Sequence, residues 1–102
     1  MNTSLSPHQA LLLEPNDSQL LANLCGQFDE HLRQIESRLG IELRNRGNAF
    51  QLIGEADACS AASRLLQQLY LEAGQGVKLT PEIIHLNLQQ AGLEALPDNP
   101  QQ

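Results

Sequence analysis

The spacing of apolar positions changes several times along this chain, and each change marks an element. Ala10-Leu11-Leu12-Leu13-Glu14, stopped by Pro15, reads as a short buried strand. Asn16, Asp17 and Ser18 offer candidate N-caps for a short helix with apolar Leu20, Leu21 and Leu24. Gly26 follows at the position where a helix end calls for positive φ. Phe28, Leu32, Ile35 and Leu39 then recur at i, i+4, i+7 and i+11, one stripe of a second helix that Gly40 ends. Glu30, Arg33, Gln34 and Ser37 fall on its opposite face.

The period next drops to two. Ile41–Arg46 and Ala49–Ile53 alternate on either side of Gly47-Asn48, a pair suited to a two-residue hairpin turn. Over Asp57–Ala73 the helical period returns, with Ala58, Ala62, Leu65, Leu69 and Ala73 as the buried stripe, widened by Ala61 and Leu66. Thr80-Pro81-Glu82 signals a last helix, with Thr80 as cap and Pro81 in the first turn. Ile84, Leu88 and Ala91 form its apolar face, and Gly92 ends it.

The order is β-α-α-β-β-α plus a C-terminal helix. This is an α+β architecture, a three-stranded antiparallel sheet with helices packed on one face. The expected organisation is a flexible N-terminus over 1–9, a domain over 10–74, a loop and C-terminal helix over 75–92, and a flexible tail or linker over 93–102.

With 102 residues and 41% hydrophobic content, the chain fits one small domain. Aromatic content of 3% leaves few platforms for stacking bases. The formal net charge is −6, and its distribution is uneven. Residues 33–46 hold Arg33, Arg38, Arg44 and Arg46 against Glu36 and Glu42, a local +2, which leaves −8 elsewhere. A domain-wide basic footprint for nucleic acid is therefore missing, while a local one is present. The start, "MNTSLSPHQA", lacks the basic and apolar regions of a secretion signal, and no apolar run is long enough to span a membrane. A cytoplasmic protein with Cys25 and Cys59 as reduced thiols is the expectation.

Enzymatic motifs are scarce. His8, His31 and His85 lie far apart, and Cys25 and His31 lack a third ligand at a sensible offset. "GQGVK" at Gly74–Lys78 lacks the frame of a phosphate-binding loop. The expectation is a non-catalytic chain with no metal or cofactor of its own.

The element order resembles the K-homology (KH) module, whose G-x-x-G helix–helix loop clamps a nucleic-acid backbone. The corresponding loop here is Gly26-Gln27-Phe28-Asp29, with the second glycine replaced by a carboxylate that a phosphate would have to approach. Much of any attraction for RNA must then come from Arg33, Arg44 and Arg46.

A longer series is similar to the N-terminal region of PhoH-like proteins. It comprises Gly26…Asp29…Leu32, Ile35…Leu39-Gly40, Arg46-Gly47-Asn48, Gly54 and Leu79-Thr80-Pro81, spread over about residues 11–92. The resemblance implies that a P-loop ATPase domain, using ATP and Mg, lies beyond these residues. It also implies work in RNA metabolism and ribosomal-RNA maturation, beside an RNA-processing endonuclease. The candidate nucleic-acid-binding residues are Gly26, Gln27, Arg33, Arg44, Arg46, Gly47 and Asn48, and the candidate partners are single-stranded RNA and the chain's own ATPase domain. The other reading is a protein–protein or self-assembly module without RNA affinity, supported by the acidic balance and by Asp29.

Overall fold

Alternation decides the sheet. In the computed structural model, which describes residues 8–90, β2 (Glu42–Arg46) and β3 (Ala49–Ile53) bury Leu43, Phe50 and Leu52 on one face. Glu42, Arg44, Arg46, Ala49 and Gln51 stay exposed. The two strands are antiparallel with Leu43 opposite Leu52 and Arg46 opposite Ala49, which leaves Gly47-Asn48 as the turn. Gly47 takes φ +59°, whereas Asn48 is not among the positive-φ residues. Glycine at the first central position is the pattern of a type II′ turn, so the asparagine does not need the left-handed region.

β1 (His8–Leu12) pairs antiparallel with β3, giving the order β1-β3-β2. It begins two residues before the apolar run that predicted it. Nor is it a buried strand: Leu12 is 58% exposed and Ala10 is exposed, while Leu13 just beyond is buried. With one face of the sheet covered, a period of two must turn every second residue outward, even in a run of leucines.

The helices cover the other face. α1 (Ser18–Cys25) is capped by Asp17, whose carboxylate accepts from the Gln19 and Leu20 N–H groups at 2.8 and 3.2 Å. α3 (Ala56–Gly74) packs on α1, β1 and β3 with Ala62, Leu65, Leu66, Leu69 and Tyr70 buried. Each large side chain buried this way contributes roughly 1.5–3 kcal/mol. Tyr70 also donates its hydroxyl to the Pro15 carbonyl, fixing the β1–α1 connection.

α2 (Glu30–Leu39) buries Leu32 and Ile35, as the stripe requires, with Leu39 half-buried. Phe28 departs from the stripe. It is 91% exposed and lies in a 3-10 turn, Gln27–Asp29, with left-handed backbone at φ 54°, ψ 34°. The helix therefore starts at Glu30, and the apolar spacing of Phe28 to Leu32 is not continued by the backbone.

α4 (Pro81–Gln90) is capped by Thr80, whose Oγ1 accepts from the Ile83 N–H at 3.2 Å. It packs against α2 and α3, with Leu79, Ile84 and Leu88 in the common core. Asn23 on α1 holds the preceding loop in both directions. Its amide donates to the Val77 carbonyl at 2.8 Å and its oxygen accepts from the Leu79 N–H at 2.9 Å. The last helix thus shares one core with the sheet. The expected helix end at Gly92, the tail over 93–102 and most of the segment 1–9 lie outside the described residues. No described helix is long and apolar enough to cross a membrane.

Candidate nucleic-acid interface

The sequence-predicted residues fall into two groups. Arg44 and Arg46 stand two residues apart on β2, so period two puts both on the sheet face that no described helix covers. Register sets their neighbours in rows across the sheet: Arg46 beside Ala49 and then Leu12, Arg44 beside Gln51 and then Ala10. Together these residues line an open hollow of about 840 Å³, with apolar Ala10 and Leu12 on the edge strand β1 and Ala49 on the central strand β3.

The two arginines differ in what holds them. Arg44 Nε donates to Glu42 Oε2 at 2.5 Å, and both side chains are exposed. A surface pair of this kind is weak and partly offsets the local positive charge. Arg46 has no ion-pair partner among the described residues.

At the hairpin tip, Asn48 is already engaged. Its side-chain amide donates to the Leu13 carbonyl at 2.6 Å while its backbone carbonyl accepts from the Leu13 N–H at 3.0 Å. Asn48 therefore anchors the turn to the end of β1, and Gly47 is left exposed beside it.

The second group lies at the α1–α2 junction. Gly26 ends α1 with φ +79°, its N–H bonded to the Ala22 carbonyl at 2.9 Å. A Cβ here would meet the His31 ring at 2.9 Å, so glycine is needed for close approach as well as for conformation. His31 is 2% exposed, and its Nδ1 donates to the Leu24 carbonyl at 3.1 Å. Gln27 is exposed, and Asp29 takes φ 58°, ψ 29°. Asp29 thus takes a left-handed backbone that glycine would adopt without strain. Arg33 is exposed on α2 and has no ion-pair partner among the described residues. The hollow under Arg44 and Arg46 is built from the three strands and includes neither Gly26, Gln27 nor Arg33.

Both cysteines are buried and free. Burial pushes the Cys25 thiol up to about 11, and the nearby Asp29 carboxylate adds to the shift. The Cys59 thiol is raised by burial alone. Neither is a reactive thiolate at neutral pH. No cluster of three His, Cys, Asp or Glu side chains suited to a metal ion occurs among the described residues.

Three residues that organise these surfaces escaped the sequence reading. Phe28 gave a helical signal that was misleading, and buried His31 gave none. Glu36 links α2 to β2 through its carboxylate, which accepts from the Leu43 N–H at 2.7 Å. Only its charge, counted among the acids of residues 33–46, was visible in the sequence.

Comparison with known proteins adds one relationship. No protein-family model matches the chain, and no solved structure matches it. PhoH-like proteins of Mycobacterium bovis and Mycobacterium tuberculosis are 38% identical to it over 65 residues. That match takes in 64% of this chain and 18% of those proteins. The PhoH-like protein of Mycobacterium leprae is 35% identical over 65 residues, 64% of this chain and 19% of its own length. The chain therefore spans about a fifth of the length of these curated relatives.

Proposed function

From the similarity of this chain to part of the PhoH-like proteins, we propose that it is a non-catalytic module that contacts single-stranded RNA. The observation that carries the reading is the pair Arg44 and Arg46 on the uncovered sheet face of an otherwise acidic chain. Two guanidiniums over an open hollow offer planar, multi-donor contacts to phosphate. Arg33 adds charge on α2, Gly47 keeps the hairpin tip low, and Asn48 fixes it to β1.

Gly26 and Gln27 have a lesser role on this reading. The carboxylates of Asp29 and Glu30 lie just beyond them, after Phe28, and repel a phosphate chain. In the whole protein, the module would hold RNA for a P-loop ATPase domain that binds ATP and Mg. Ribosomal-RNA maturation beside an RNA-processing endonuclease is the matching cellular task.

Titration of the chain with a labelled single-stranded RNA at several salt concentrations tests this. Neutralising three phosphates gives a slope of about −2 in log K against log salt. Loss of most of that affinity in the double variant Arg44→Glu/Arg46→Glu is expected. No binding at low salt would overturn the reading.

A further inference from the structure

We infer that Phe28, with Asp29 and Glu30, docks into the arginine-rimmed hollow on the sheet of a second copy of this chain. Phe28 is the most exposed large apolar side chain among the described residues, at 91%. It is not a loose end: it sits between two helices, and left-handed backbone at both Phe28 and Asp29 directs it outward. Water gains nothing from a phenyl group held this way, so the side chain suits a complementary surface.

Charge selects the kind of surface. Asp29 and Glu30 are exposed next to Phe28, and the first lysine or arginine along the chain is Arg33. A nucleic-acid strand stacking a base on Phe28 would bring its phosphates towards two carboxylates. An apolar depression with a cationic rim meets both features of the knob at once.

The chain itself carries such a depression. The hollow of about 840 Å³ has Ala10, Leu12 and Ala49 among its lining residues and Arg44 and Arg46 along one side. Leu12 is 58% exposed there, which leaves apolar surface for an aromatic ring to cover. Since Phe28 is exposed, the knob does not fill its own chain's hollow, and the contact has to join two copies.

Knob and hollow belong to different surfaces, so the contact is head-to-tail and can add copies beyond two. It is also small. A single aromatic anchor covers far less than the roughly 1,600 Å² of a standard interface, which places association in the upper micromolar to millimolar range. The inference needs no RNA, although RNA would compete for the same arginines, and its test contains no RNA in the first arm.

Sedimentation equilibrium of the chain up to about 1 mM, where weak association of this order is populated, gives the readout. The average mass is expected to rise with concentration. Phe28→Ala should weaken association about tenfold or more without changing the far-ultraviolet circular dichroism. Asp29→Arg/Glu30→Arg and Arg44→Glu/Arg46→Glu should each abolish association alone, and mixing these two variants should restore it. A monomer at every concentration, or association unaltered by Phe28→Ala, overturns the inference. So does an RNA titration in which Phe28→Ala lowers affinity while self-association is unchanged, since Phe28 would then be a base-stacking group.

Discussion

The β2–β3 hairpin tip and the α1–α2 junction are both short reversals begun by a glycine with positive φ, yet their backbones are held in different ways. At the tip, the one position that needs the left-handed region is Gly47, and a Cβ there would meet nothing within 4 Å. At the junction, Gly26 is followed by Phe28 and Asp29, both left-handed without being glycine. Such residues cost of order 1–3 kcal/mol each and persist only where the surroundings impose them. Here the surroundings are a helix on either side and the buried His31 ring pressed under Gly26. The hairpin's shape therefore follows from its own residues. The junction's shape follows from tertiary packing, and it presents an aromatic side chain as a consequence.

Substitutions at the two glycines separate conformation from contact. Gly26→Val should destabilise the domain most, by about 3 kcal/mol, because backbone strain adds to a clash with His31. Gly47→Val should cost roughly 1 kcal/mol or more, from backbone strain alone. Urea unfolding of both variants gives the difference; equal losses would mean that the His31 contact contributes nothing.

Replacing the exposed aromatic tests the other half of the comparison. Phe28→Gly should stabilise the domain by about 0.5–1 kcal/mol, since relief of left-handed strain exceeds the added chain entropy and no buried surface is lost. A lower melting temperature would show that the side chain packs on the fold.

The smallest effect expected is on pH dependence, and it belongs to the junction. The Cys25 thiol, at about 11 when folded, ionises more readily in the unfolded chain, where 9.0 is the ordinary value. The unfolded state therefore loses its proton first, and stability should fall as the pH rises from about 9 towards 11. Below that window the thiol is neutral in both states and contributes no slope. Cys25→Ala should flatten the alkaline limb of a stability–pH curve, and an unchanged limb would assign it to other groups.

The same contrast explains what could be read from the sequence. Leu43 against Glu42 and Arg44 fixes which side of β2 is buried, so the shared outward face of Arg44 and Arg46 was open to inspection. Thr80 announced its helix, and Asp17 was one of three adjacent candidates for the first, because capping depends on residues two or three positions away. Phe28 could not be read, because its i, i+4 spacing from Leu32 fits a helix that the backbone does not form. Leu12 was misleading for a related reason: three leucines in a row conceal which one faces out. The partner of β1 depends on Leu11 lying opposite Phe50, a pairing across 39 positions that no local pattern encodes. The separation of Arg33, Gly26 and Gln27 from the hollow is likewise a result of tertiary packing.

Which of the two regions meets RNA is the central question, and backbone amide shifts in ¹⁵N-labelled chain during titration with a single-stranded oligonucleotide answer it directly. The predicted result is a set of perturbations centred on Arg44, Arg46, Ala49 and Gln51, weakening with salt, with Gly26–Asp29 little changed. Perturbations centred on the junction, or none at low salt, would contradict the account.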